Sequence, residues 1–257
     1  MFDVLLMALG PLLLIHVTYF IAVKKNDLSV IDSIWGLGFI AIGLIGNLLS
    51  GFSNPREILI FSMVLIWGIR LSLFIHSRNK GKPEDFRYTQ MKKNWGPHAN
   101  RTAYFKVYLL QFGLMLIVGL PLFAVHLSKG SNFLFLDYFG LALWMIGLSW
   151  EAVADAQKLK FKKTYQDAIC DRGLWFFSRY PNYFGEILLW WGIGSVSLLS
   201  RNSWGIFGSI FINFLIYKVS GIPLIEARYE HNPEYQAYKK TTPTLIPNLL
   251  KKQVKMR

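Results

Sequence analysis

Residues 4–23 read VLLMALGPLLLIHVTYFIAV, a run without a single Asp, Glu, Lys or Arg. A helix needs ~20 apolar residues to cross the hydrocarbon core, and in lipid the backbone must satisfy its own hydrogen bonds, so the run reads as a membrane helix. No basic residue precedes it and no small-x-small cleavage site follows it, so it reads as a retained helix and not as a signal peptide. Six further apolar stretches lie at 34–49, 58–75, 104–125, 136–154, 183–199 and 203–222. The stretch at 34–49 is short and contains Gly36, Gly38, Gly43 and Gly46, a spacing that lets membrane helices pack closely. The pattern predicts an all-α polytopic membrane protein with seven transmembrane helices.

Composition agrees with this. Of 257 residues, 53% are hydrophobic and 17% charged, against roughly 25% charged in soluble domains. Disorder, collagen-like repeats and a charged coiled coil are excluded. The lone cysteine, Cys170, allows no intrachain disulfide and no Cys-based metal site, and no two histidines have metal-ligand spacing, so no metal is expected. The net charge of +13 would suggest nucleic acid in a soluble protein. Here Lys and Arg sort between alternate connections, 22 on one side against Arg56, Lys129 and Arg201 on the other. That asymmetry reads as topology and attraction to anionic lipid, with no nucleic-acid partner. It predicts an external N-terminus and a cytoplasmic C-terminus. Trp95, Tyr138 and Trp204, at span ends, fit interfacial anchoring. The long connections at 78–103 and 158–182 hold most of the polar side chains, so chemistry with a soluble cofactor belongs on their side. No P-loop or glycine-rich dinucleotide fingerprint occurs, so side chains would have to hold any nucleotide.

Ionisable residues inside spans cost ~2.5–3.5 kcal/mol each on insertion scales and call for a partner or a purpose. Glu151 and Asp155 share a helix face at i and i+4, Glu186 lies one turn into the sixth span, and Arg70 lies in the third, one turn after Trp67. They read either as buried interhelical ion pairs or as the lining of one polar cavity. The richest segment is DRGLWFFSRYPNYFGEILLWWG at 171–192. Pro181 suits the first turn of a helix, which puts Asn182, Tyr183 and Glu186 at the start of the sixth span with Arg179 just before it. A helix start, an arginine and an amide together favour an anionic ligand group; the alternative is an anchored helix start with Arg179 on lipid phosphate.

GLWFFSRYPNYFGEILLWWG closely resembles the bacterial DUF1295 family, which is related to the membrane steroid 5-alpha-reductases. Further matching pieces are DSIWG at 32–36, WGIRLSLFIHSR at 67–78, EDFRY at 84–88, WEAVADAQKLKFKK at 150–163 and GIPLIEARYEHNPEYQAYKKTTPTLIP at 221–247. The resemblance implies a bacterial inner-membrane reductase of the steroid 5-alpha-reductase type, a single membrane-embedded domain over 1–257. Its N-terminal helices would form the substrate side and residues 136–257 the cofactor side, with NADPH as cofactor. Carried over by motif, Glu151, Asp155, Lys162, Arg179, Asn182, Tyr183, Glu186, Arg228, His231 and Tyr235 would bind the dinucleotide. The implied chemistry is hydride transfer to a double bond conjugated to a carbonyl, with protein donors polarising the carbonyl oxygen. Steroid reductases use a Tyr and a Glu there, and this sequence departs from them, with Trp67 in place of the Tyr. Asp32 and Tyr88 become the candidate catalytic acids, and Trp35, Trp67 and Arg70 the candidate substrate-binding residues.

Three functions follow. The first is an NADPH-dependent reductase of a lipid-soluble enone, steroid-like or other, acting as a monomer among membrane lipids. The second is an S-adenosylmethionine-dependent methyltransferase of the isoprenylcysteine methyltransferase type, since those enzymes share a version of the Arg-x-Pro-x-Tyr pattern. The third is a non-enzymatic transporter or scaffold, against which the sequence offers no inverted repeat.

Overall fold

A computed structural model describes residues 2–128, 132–166, 168–198 and 202–251. Lys129, Leu199, Arg201 and Arg257 of the sequence reading lie outside them. The described residues contain helices and connections and no strand. In chain order the helices are α1 (Phe2–Lys25), α2 (Val30–Ser33), α3 (Trp35–Leu49), α4 (Pro55–Asn79), α5 (Phe86–Trp95), α6 (Ala99–Ala103), α7 (Leu110–Val118) and α8 (Leu120–His126). There follow α9 (Phe135–Thr164), α10 (Leu174–Phe177), α11 (Pro181–Leu198), α12 (Ile206–Phe214), α13 (Ile222–Arg228) and α14 (Pro233–Thr241). Two π-helical stretches, Tyr104–Leu109 and Leu215–Val219, interrupt the runs after α6 and α12.

Five helical runs are long and apolar enough to cross a membrane: Phe2–Lys25, Pro55–Asn79, Phe86–Val118, Phe135–Thr164 and Ser203–Arg228. The protein is an all-α integral membrane protein. The other two expected spans are helices as well, but fall below that threshold. α3 has 15 residues, or about 22 Å at 1.5 Å per residue. α11 has 18 residues, but Asn182 and Glu186 make its first turns polar.

The chain packs as two compact units, residues 1–139 with 193–208, and residues 140–192 with 209–257. In the first unit the glycines of α3 work as their spacing suggested. A Cβ on Gly36 would fall 2.5 Å from the Gly68 carbonyl oxygen of α4, and one on Gly68 2.7 Å from that of Gly36, so these two helices touch backbone to backbone. At the other end of α4, Asn54 caps the helix by accepting from the Arg56 and Glu57 amides. Arg56 makes a bidentate ion pair with Asp137, both contacts at 2.8 Å, and Glu57 bonds His126 at 2.6 Å.

The second unit is built on another glycine seam. A Cβ on Gly147 of α9 would lie 2.6 Å from the Gly185 oxygen of α11, and one on Gly192 2.5 Å from the Gly140 oxygen. Glycines seven apart on both helices thus leave side-chain-free contacts two turns apart. Below the seam Trp175 packs with Ala154 and Cys170 and donates its indole N–H to the Ala154 oxygen at 2.9 Å. Gly173 makes that turn possible: its φ is +62°, and a Cβ there would strike Gln157.

Candidate functional site

In the first unit the structure joins the two candidate acids. Asp32, in the short α2, faces Tyr88, in α5, and the Tyr88 hydroxyl donates to Asp32 Oδ1 at 2.6 Å. Arg87 donates to Asp32 Oδ2 at 2.8 Å and is itself steadied by Asp85 at 3.0 Å. Local sequence explains the geometry. Asp85 accepts from the Arg87 amide as the N-cap of α5, which orients the first turn of the helix. Glu84 accepts from the Leu28 amide at 2.6 Å and pairs with Lys92 at 2.8 Å, fastening the EDFRY segment to the residues leading into α2. Tyr88 is buried, and so is Tyr108, which donates to the Leu28 oxygen at 3.1 Å. Burial pushes the Asp32 pKa above the ordinary carboxylate range, with Arg87 opposing.

The residues singled out for substrate lie near the start of α3. Trp35 meets Phe39 edge-on at 5.4 Å, and Phe39 meets Trp67 at 5.8 Å. Trp67 is wholly buried, so it belongs to the packed core between α3 and α4. Arg70 lies over the Phe74 ring at 5.7 Å.

In the second unit, Glu151 and Asp155 are 3% and 6% exposed in the C-terminal half of α9. The seam sets α11 against them, since a Cβ on Gly185 would fall 2.5 Å from the Glu151 amide nitrogen. Asn182 and Glu186 flank that contact on α11. The Asn182 Oδ1 atom is buried without a hydrogen-bond partner among the described residues. This contact makes an acceptor corner of the Asn182 oxygen, on helices that also carry Glu151, Asp155 and Glu186, and it suits a ligand that brings an N–H or hydroxyl donor.

Arg179 does something other than expected. Its guanidinium is turned into the protein, donating to Glu226, to the Tyr235 hydroxyl at 3.2 Å and to Thr244 Oγ1 at 2.6 Å. The Tyr180 and Tyr235 hydroxyls meet at 2.6 Å, and burial raises the pKa of both. Lys239 pairs with the second oxygen of Glu226. The segment after α14 then lies along residues 177–180: the Arg179 amide donates to the Pro243 oxygen at 2.9 Å, the Tyr180 amide to that of Thr244 at 3.2 Å, and the Asn248 amide to that of Phe177 at 2.9 Å. Two nitrogens of the arginine that the sequence offered to an anion hold this tail and α13 together, while its buried Nε has no hydrogen-bond partner among the described residues.

The remaining candidates are dispersed. Tyr183 stacks on Tyr180 with centroids 5.8 Å apart. Lys162 donates to the Gln166 and Ala168 oxygens at 2.7 and 2.9 Å, closing the end of α9. Arg228 and His231 are exposed. Sequence reading missed Glu226, Tyr180, Thr244 and Lys239. Three of them stand in the quoted C-terminal piece and Tyr180 in the Arg-Tyr-Pro-Asn-Tyr stretch, but a search for cations to hold phosphate passes over a glutamate that holds an arginine.

No curated protein and no solved structure matches the chain. A family profile does, over residues 18–242. The motif-bearing segments around Asp32, Tyr88, Glu151, Arg179 and Glu226 all fall within that match, and the chain belongs to DUF1295, a family described as protein of unknown function.

Proposed function

We propose that the chain is an integral membrane reductase that uses NADPH to saturate a carbon–carbon double bond conjugated to a carbonyl in a lipid-soluble substrate. The observation that carries this reading is the buried Tyr88–Asp32 pair. Reduction of an enone needs a proton donor at the carbonyl oxygen as negative charge builds there, whereas methyl transfer does not. Tyr88 is the donor, Asp32 supplies the proton behind it, and Arg87 fixes the carboxyl group. Trp35 gives the substrate an apolar wall.

NADPH, when bound, supplies the hydride. The acceptor corner of the second unit suits its ribose hydroxyls and carboxamide, with Asn182 Oδ1 as one acceptor still to be satisfied. Glu151, Asp155 and Glu186 add negative charge on the same two helices. Arg179 is committed to Glu226 and Thr244, so the phosphates fall to exposed cations such as Arg228.

One feature favours a second reading. A corner so rich in carboxylates also suits the cationic sulfonium and ammonium groups of S-adenosylmethionine, as in a methyltransferase. Thermal unfolding of the detergent-solubilised protein separates the two. NADPH is expected to raise Tm and S-adenosylmethionine to leave it unchanged. Asn182→Ala should weaken NADPH binding roughly tenfold, the loss of one hydrogen bond worth ~1.4 kcal/mol. A shift with S-adenosylmethionine alone transfers the assignment to the methyltransferase, and a shift with neither ligand removes both.

A further inference from the structure

Apart from the residues discussed so far, the first unit holds a cavity of about 500 Å³ lined by His16, Tyr19 and Phe20 of α1 and by Pro97, His98, Asn100, Arg101 and Tyr104. No carboxylate lines it. Arg101 and His98 are exposed. Neither forms an ion pair or a side-chain hydrogen bond among the described residues. Both side chains therefore stand at the opening with donors to spare.

The floor is built differently. His16 Nδ1 lies 2.8 Å from the Leu12 carbonyl oxygen, an acceptor, so Nδ1 carries the hydrogen. In the tautomer that this bond selects, Nε2 accepts from the Tyr104 hydroxyl at 2.7 Å. With its proton committed to His16, the Tyr104 oxygen is left as an acceptor. The π-helical stretch that begins at Tyr104 brings both Tyr104 and Tyr108 against the Tyr19 ring, at 4.9 and 5.3 Å. Such insertions in a helix often mark functional sites. Phe20, Val17, Leu13 and Leu9 are exposed along α1. They form an apolar stripe that runs from the cavity away from Lys24 and Lys25.

We propose that this cavity binds the headgroup of an anionic phospholipid that also carries free hydroxyls, of the phosphatidylglycerol kind. The phosphate takes Arg101 and His98, a headgroup hydroxyl donates to the Tyr104 oxygen, and an acyl chain follows the stripe of α1. A basic pocket beside aromatic residues at the edge of a span is the setting in which anionic headgroups are held. The site is separate from the Asp32–Tyr88 pair and stands whether or not the chain is a reductase.

The test is thermal unfolding in mixed micelles. Phosphatidylglycerol is expected to raise Tm, and phosphatidylcholine and sn-glycerol 3-phosphate are not. An equal response to glycerol phosphate would make this a site for soluble phosphate esters and overturn the lipid assignment. The double variant Arg101→Gln, His98→Gln changes only exposed side chains and should lose at least half of the phosphatidylglycerol shift, while Lys80→Gln, outside the cavity, should keep it. A double variant that responds like the wild type overturns the proposal. So does an equal loss in Lys80→Gln, because the effect would then be general surface charge.

Discussion

Asp32 stands between two donors, and its protonation decides what Tyr88 can do. While the carboxylate is ionised it holds the phenolic hydrogen, and Tyr88 has none to give. Once Asp32 is protonated the bond can reverse: Asp32 donates to the phenol oxygen, Arg87 keeps the other carboxyl oxygen, and the Tyr88 hydrogen is released toward a substrate. Burial raises the Asp32 pKa, so the competent form persists to higher pH than for an exposed aspartate. Single-turnover NADPH oxidation with a cyclic enone lipid should therefore be fastest below the Asp32 pKa and fall as pH rises through it. Asp32→Asn should flatten that limb, because an amide donates to Tyr88 at any pH. Tyr88→Phe should slow turnover by about 10²–10⁴-fold, and wild-type rates in Tyr88→Phe would clear Tyr88 of the role. Both residues were legible as candidates from their motifs. Their bond was not, because they lie 56 positions apart and spacing along a chain carries no information about which loop folds over which. Arg179 shows the converse. Its position before Pro181 was legible, but its partner Glu226 lies 47 positions on, and only the fold shows that the guanidinium points inward.

Among the elements, the paired glycines of α9 and α11 set the acceptor corner. A methyl group on Gly185 would meet the Glu151 amide nitrogen at 2.5 Å and the Gly147 oxygen at 2.6 Å, both backbone atoms that cannot swing aside. Gly185→Ala should therefore destabilise the protein by ~1–3 kcal/mol, the usual cost of overpacking, and shift Glu151 relative to Glu186. Gly113→Ala is the control. A Cβ there meets nothing within 4 Å, and alanine favours helix over glycine by up to ~1 kcal/mol, so Tm should hold or rise. Equal losses in both variants would mean that the seam is not what holds α11 in place. The glycines of α3 were readable as a packing face because four of them crowd one short apolar run. The α9–α11 seam was harder to see. Its glycines come two to a helix at a spacing of seven, and among large aromatic residues they look incidental until the helices are brought together.

For the whole molecule, the open quantity is how many helices cross, and charge can decide it where length cannot. If only the five long runs cross, one side receives Lys24, Lys25, Arg56, Lys129 and the seven cations from Arg228 onward, 11 in all. The other receives the seven from Arg78 to Arg101, the six from Lys158 to Arg179, and Arg201, 14 in all. So even a split gives the chain little orientation. If α3 and α11 also cross, the same residues sort 22 to 3, a strong positive-inside pattern. The asymmetry is greater still, because Arg56, one of the three, is buried in its ion pair with Asp137 and offers the membrane surface little charge. Seven crossings are thus favoured although α3 is short, and local thinning of the bilayer accommodates a short helix at modest cost. The expected arrangement has the basic face in the cytoplasm. Reporters inserted after Lys80 and fused after Arg257 test it together. Both should read as cytoplasmic under seven crossings, whereas five would place them on opposite sides, since three runs separate the two positions. An exported Lys80 reporter beside a cytoplasmic C-terminal one would take α11 out of the membrane, and a further reporter after Lys25 that reads opposite to the Lys80 one would take out α3.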